Sequence, residues 1–307
     1  MNEARYREAE RRLWASEGVA PTEQLVRLTR IGGSVRVQEV GEGPPVLFVH
    51  GGSNGGTSWA LLVARLAGFR CILLDRPGCG LSEPLTTRLR TVERLGAFAD
   101  ALVVDVLDAL GIDKAHVVST SFGGYVALRS AAAHPARIMR IVEMGWSIGA
   151  PVGRTPFAMR LAGAPLLGGL MVRLPPNERI VRALLWNIGL KAAIESGRFS
   201  REAIDWYLAL LRDTGTMRNE LESLPPLISP VRGLNRGLLL PASLLASIRT
   251  PVHFLWGEED LYGGPEIARA FVAQIPGAEL EMMPGGHAVW MDDPDRAASV
   301  TRRFLSA

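Results

Sequence analysis

The sequence predicts an α/β fold: a mostly parallel, doubly wound sheet with helices on both faces and a helical insertion above it. Three observations carry this prediction. Short apolar, β-branched runs alternate with helix-length segments, the pattern of a parallel sheet. The alternation stops between about residues 147 and 247, where helix-length segments follow one another without a convincing strand. The apolar runs end on loops rich in glycine and in reactive side chains, and such sheets place ligands at the carboxyl ends of their strands.

Residues 3–16 have helical spacing and dense charge, and predict an N-terminal surface helix. Residues 25–31 and 35–40, joined by Gly32-Gly33-Ser34, predict a hairpin. Buried strands follow at 46–49, ending on His50; at 71–74, ending on Asp75; at 115–120; at 138–143; at 252–256; and at 279–283. Helices are expected at 59–66, 91–110, 122–133, 265–274 and 294–304. The insertion adds helices at 178–190 and 201–212. The chain divides into an N-terminal helical extension (1–24), a core (25–146 and 248–307) and a helical cap (147–247).

Composition narrows the function classes. A chain of 307 residues, 48% hydrophobic, can bury a large core. The net charge is +3 and the arginines are dispersed, so no nucleic-acid footprint is present. No apolar run approaches the roughly 18–20 residues of a membrane span. The charged N-terminus lacks a secretory-type apolar segment. The expectation is a cytoplasmic monomer or homodimer acting on a small molecule, without nucleic-acid or membrane partners. Cys71 and Cys79 are the only cysteines, too few for a disulfide framework or a thiolate metal site. Cys71 begins a strand and reads as packing, and Cys79 sits in a loop. No metal or cofactor is expected.

The most informative stretch is Ser119-Thr120-Ser121-Phe122-Gly123-Gly124, at the switch from a strand to a helix. A serine there, with small residues two before and two after, has the layout of a nucleophile elbow. Ser121 is the candidate nucleophile. Ser119 stands where the pattern usually has glycine, and it is a poor rival because its own second flank would be Ser121. The other strand ends carry His50-Gly51-Gly52-Ser53, the loop Asp75 to Ser82, Gly257-Glu258-Glu259-Asp260, and Gly285-Gly286-His287. A serine, a carboxylate and a histidine thus follow separate strands in that order. A hydroxyl nucleophile needs a base, and the base needs an acceptor to hold its tautomer.

These loops, in this order, resemble the α/β-hydrolase superfamily from about Leu25 to the C-terminus, with 147–247 in the place of its variable cap. The resemblance implies the α/β-hydrolase fold, Ser121 as nucleophile, His287 as base and Asp260 as the orienting acid, with Glu258 and Glu259 as rivals to Asp260. It implies an oxyanion hole from the Phe122 amide and a second amide, Gly52 or Ser53. His50 is expected to brace its loop, Asp75 to tie the turn after it, and His116 and His253 to pack inside strands. Trp146, Trp186, Trp206 and Trp290 are expected to line the substrate pocket, and Phe157, Met159, Met171 and Tyr207 add apolar bulk to the cap. The cap holds twelve Arg plus Lys against seven Asp plus Glu, which suggests an apolar, anionic acyl substrate. Family members that open epoxides or displace halide use Asp at the elbow, so Ser121 argues against both. A carboxylic ester hydrolase is the first reading. A C–C bond hydrolase, a cofactor-free perhydrolase and a proline-type aminopeptidase share the triad, although the last usually has Trp where this chain has Phe122. A ligand-binding receptor with little turnover is the reading from another class.

Overall fold

The computed structural model describes residues 1–153, 155, 160, 163–164, 176–223 and 227–307. Phe157, Met159 and Met171 lie outside the described residues. The main sheet contains β1 (Thr22–Arg27), β2 (Ser34–Val40), β3 (Pro45–Val49), β4 (Arg70–Leu74), β5 (Ala115–Ser121), β6 (Ile138–Ser147), β9 (Val252–Gly257) and β10 (Glu279–Met283). A two-residue ribbon, β7 (Ile228–Ser229) with β8 (Gly233–Leu234), lies in the insertion, where no strand was expected. The main sheet runs β1-β2-β4-β3-β5-β6-β9-β10, with β1, β2 and β4 pairing antiparallel and all later neighbours parallel. This is the α/β-hydrolase arrangement that the loops imply.

The central strands are buried on both faces because every second side chain faces a different helical layer. Val46 and Phe48 of β3 join one core cluster, and Leu47 and Val49 join the other. The first cluster packs under α1 (Glu3–Ser16), α2 (Ala60–Val63) and the C-terminal helix Pro294–Leu305. The second packs under α3 (Val92–Ala109), α4 (Phe122–Ala133) and the helix Pro265–Val272. Helix starts follow their sequence signals. Thr91 caps α3 through the Arg94 amide, and Asp293 caps the C-terminal helix, which has proline in its first turn.

Among the boundaries that differ from the sequence reading, two have a clear physical cause. β1 starts at Thr22 rather than 25, because its polar residues pair along an exposed edge: Thr22 to Arg27 match Glu39 to Ser34 in register. β6 continues to Ser147, because Thr120 Oγ1 donates to the Met144 carbonyl and Ser121 pairs with Ser147. The N-terminal helix is more than a surface element. Tyr6, Ala9, Glu10, Leu13 and Trp14 form a buried stripe at helical spacing. Glu10 meets the buried Arg36, with Nη1 donating to Oε1 at 3.0 Å.

In the insertion, the described helices are α5 (Glu178–Leu185), α6 (Lys191–Glu195), α7 (Arg201–Asp213), α8 (Thr216–Ser223) and α9 (Ala242–Ser247). The Asn2 amide donates to the Asp213 carbonyl at 2.8 Å, which ties the extension to the end of α7. Among the described residues no helix is long and apolar enough to cross a membrane.

Candidate active site

Ser121 sits at the tip of β5 with φ 55° and ψ −114°, where α4 begins. Among the described residues only Ser53 shares a positive φ without being glycine. Left-handed backbone on a side-chain-bearing residue costs energy and clusters at functional sites. Both strained residues lie at the same sheet edge, on the elbow and on the loop after β3. The elbow also demands small neighbours. A Cβ on Gly123 would lie 2.0 Å from the Val49 carbonyl oxygen. A Cβ on Gly51 would lie 2.9 Å from the Ser121 Cβ, so the loop after β3 runs directly against the candidate nucleophile.

Ser119 occupies the usual glycine position, and the structure shows what accommodates it. Its hydroxyl donates to Glu143 Oε2, a short contact between fully buried groups on neighbouring strands. Glu143 Oε1 has no partner. Burial drives the Glu143 carboxyl well above the ordinary carboxylate range, and the hydrogen bond from Ser119 only partly opposes this. Burial thus favours the protonated form of Glu143, which lies beneath the elbow. The sequence offered one signal for it, a Glu following the apolar pair Ile141-Val142 within the strand.

Asp260 and His287 follow β9 and β10, and the structure brings them together. His287 Nδ1 lies 2.8 Å from Asp260 Oδ2, and both residues are buried. The carboxylate is held from three sides: the Trp146 amide donates to Oδ2 at 2.8 Å and the Tyr262 amide to Oδ1 at 3.0 Å. Tyr262 also stands edge-on to the His287 ring, with centroids 4.8 Å apart. Glu258 and Glu259 point into solvent, and only their backbone amides are engaged, on Met283 and Gly285 carbonyls. The His287 backbone amide donates to the Ile188 carbonyl of the insertion at 2.9 Å, so the insertion touches the histidine loop.

The loop after β3 is fixed by His50 and Arg76. His50 Nδ1 and Arg76 Nη2 each lie 2.8 Å from the Gly51 carbonyl oxygen, and His50 Nε2 accepts the Arg76 amide at 3.0 Å. Burial, then the Arg76 cation, hold His50 well below the usual imidazole value, which matches a neutral ring donating at one nitrogen and accepting at the other. In a trans peptide the N–H points away from the preceding C=O. Two donors on the Gly51 carbonyl therefore set the direction of the Gly52 amide. Asp75 ties the following turn, with Gly56 N–H donating to Oδ1 at 2.7 Å and Leu81 N–H to Oδ2 at 3.0 Å.

The four tryptophans separate. Trp146 is buried and stacks on Tyr262 at 4.9 Å, so it packs behind the Asp260–His287 pair. Trp206 is buried on α7, close to Gly55 of the loop after β3. Trp290 is buried against Trp59, with centroids 4.6 Å apart, and donates Nε1–H to the Ser58 carbonyl at 3.1 Å. These contacts make Trp290 a packing residue of the histidine loop. Trp186 is 43% exposed, with the Lys191 ammonium 5.4 Å from its ring centroid. Sequence reasoning missed Arg76, Glu143 and Glu220, whose partners are distant in the chain, and Tyr262, whose ring meets His287 and Trp146 only in the fold.

The comparisons agree with this geometry. A family model described as "Alpha/beta hydrolase family" matches residues 46–300. A Pseudomonas 2-hydroxy-6-oxononadienedioate/2-hydroxy-6-oxononatrienedioate hydrolase is 29% identical over 287 residues, 90% of this chain and 93% of that protein. A hydrolase of the same description from Cupriavidus pinatubonensis is 30% identical, covering 77% of this chain and 78% of its own. Among solved structures, a Rhodococcus 2-hydroxy-6-oxo-6-phenylhexa-2,4-dienoate hydrolase superposes with TM-score 0.78 at 20% identity, over 94% of this chain and 100% of its own. The Bacillus subtilis carboxylesterase CesB superposes with TM-score 0.75 at 18% identity, over 99% and 98%. The sheet order, the elbow and a family match that spans most of the chain lead to one conclusion: this protein belongs to the α/β-hydrolase family.

Proposed function

We propose that the protein is a serine hydrolase that cleaves a C–C bond next to a ketone in a small, carboxylate-bearing vinylogous diketone. The observation that carries the chemistry is the Asp260–His287 hydrogen bond at the same sheet edge as the strained Ser121. Asp260 holds the proton on His287 Nδ1 and leaves Nε2 free as a base. Ser121 Oγ gives its proton to Nε2 and bonds to the ketone carbon, and the charge on oxygen falls to the Phe122 and Gly52 amides. The C–C bond then breaks, its electron pair passing into the conjugated fragment, which takes a proton from His287. Water, activated by the same base, releases the acid from Ser121.

The choice of bond rests on the relatives. Ester hydrolysis came first from sequence, because the triad alone favours the simplest carbonyl. Curated relatives that match over about nine-tenths of both chains are described as hydrolases of 2-hydroxy-6-oxo dienedioates or of a phenyl-substituted dienoate, which supports placing the C–C bond ahead of the ester. Ester hydrolysis is the second reading, since the same triad performs it. A decisive assay follows the loss of dienolate absorbance from a 2-hydroxy-6-oxo-dienoate, beside a panel of activated acyl esters. The proposal expects kcat/KM for the dienoate at least about tenfold above the best ester, a gap of ~1.4 kcal/mol. Turnover of esters alone would reassign the substrate.

A further inference from the structure

The candidate site contains a second charged pair that the triad does not use, and it joins core to cap. Arg76 follows β4 and is 5% exposed. Its guanidinium lies over the Phe122 ring, 4.6 Å from the centroid. Nη2 donates to the Gly51 carbonyl at 2.8 Å and to Glu220 Oε1 at 2.9 Å. Nε is buried and has no partner. Nε and Nη2 form one edge of the guanidinium plane, the edge that takes a carboxylate with two parallel bonds. Here that edge is half used.

Glu220 comes from α8 of the cap. Its Oε1 also lies 3.3 Å from the Cys79 sulfur. Burial pushes that thiol well above its usual value, so it is present as S–H and can donate. The other oxygen, Oε2, sits 3.2 Å from the position a Cβ would take on Gly52. A carboxylate of the protein's own thus lies against the residue expected to give the second oxyanion amide. Negative charge there opposes the charge that develops on the substrate oxygen. The backbone of α8 has its own anchors: Thr216 Oγ1 accepts the Gly80 amide at 2.9 Å, and Asn219 Nδ2 donates to the Pro77 carbonyl at 3.3 Å. Those bonds leave the Glu220 side chain able to rotate while the helix stays in place.

We propose that Arg76 is a carboxylate-binding subsite beside the oxyanion loop, occupied in the resting enzyme by Glu220 and taken over by a carboxylate of the substrate. The internal carboxylate identifies the ligand class, because the seat already accepts that group. Exchange adds the unused Nε–H to the bonds made, moves the Glu220 charge away from Gly52, and leaves the bond from Arg76 to Gly51 intact. The proposal deepens the hydrolase reading and depends on it only for the identity of the substrate.

The test uses the full chain and calorimetric titration with benzoate, and with benzamide as its neutral counterpart. Glu220→Gln keeps a hydrogen-bonding oxygen for Arg76 but removes the competing charge. It should bind benzoate about tenfold tighter than the wild type, a difference of ~1.4 kcal/mol. Arg76→Gln should bind benzoate at least about tenfold more weakly, by the same conversion. Benzamide should show neither trend, which a merely structural role for the pair would not produce. If Arg76→Gln fails to fold, Glu220→Gln decides the matter alone. Equal benzoate affinity in Glu220→Gln and wild type, or the same ranking with benzamide, overturns the subsite. Because the readout is binding, failure of the C–C assay leaves this result interpretable, and failure here leaves the triad untouched.

Discussion

The strand tips of the core and the insertion above them follow different rules. At the tips, backbone geometry dictates the residue: the positive φ of Ser121, the Gly51 and Gly123 close contacts and the amides gripping Asp260 each leave few alternatives. In the insertion, several of the described cations pair at the surface. Arg182 and Arg201 pair with Glu178, and Arg198 pairs with Asp292. The buried cation nearest the elbow is Arg76, which belongs to the core. Charge counted over a segment does not locate charge in a site. The cap's described contribution there is one carboxylate, Glu220, and one carbonyl, Ile188.

The largest effects should come from the strand tips. Ser121→Ala removes the proposed nucleophile with little loss of packing, and should lower kcat on the order of 10⁴-fold or more with an unchanged melting temperature. Retention of a tenth of the activity would break the contrast. Asp260→Asn should cost on the order of 10³–10⁴-fold, because Asn favours the wrong imidazole tautomer. Glu258→Gln and Glu259→Gln, in solvent, should stay within about threefold of wild type by the same reasoning on surface groups. A crippling Glu259→Gln would move the acid.

Glu143 sharpens the comparison, because it tests the elbow's foundation without touching the nucleophile. Burial raises the folded-state value of this carboxyl well above the ordinary one, while the unfolded chain releases its proton near 4.5. The folded state therefore binds more protons above that value, and wild-type stability falls as pH rises from there toward the raised folded value. Glu143→Gln removes this penalty and keeps a partner for Ser119. Its melting temperature should exceed wild type by a margin that grows between pH 5 and 8. A margin independent of pH would show that Glu143 is ionised in the fold.

Two tryptophans of the insertion give the smaller effects. Trp206→Ala should destabilise by about 3–5 kcal/mol, the cost of emptying a buried aromatic site. Trp186→Ala should change stability by less than about 0.5 kcal/mol and activity by less than about twofold. Thermal melts and kcat/KM measurements distinguish them, and a large activity loss in Trp186→Ala would return that ring to the pocket.

Much of the core was legible because its signals are local. A buried strand announces itself as an apolar run, and an elbow requires small residues at fixed offsets around one serine. Ser121 and His287 could be singled out because each follows its own run, whereas Asp260 shares its loop with Glu258 and Glu259 and was chosen through the family resemblance. The β1 boundary was harder to read, since an exposed edge strand carries polar residues on both faces. Glu143, Arg76 and Glu220 were hidden because each acquires its role from a partner far away in sequence: Ser119 across a strand pair, Gly51 across a sheet edge, Arg76 across the cap interface. Trp186 and Trp206 carry the same side chain in neighbouring helical segments, and only tertiary packing separates exposed from buried.

The central claim is that Ser121 is the nucleophile, activated by His287 and Asp260. Its most direct test is covalent labelling with a fluorophosphonate, followed by mass spectrometry of the digested protein. A single adduct on Ser121, formed by the wild type, much slower in Asp260→Asn and absent in Ser121→Ala, is the predicted result. An adduct on Ser119 or any other residue, or full turnover in protein that no fluorophosphonate modifies, would contradict it.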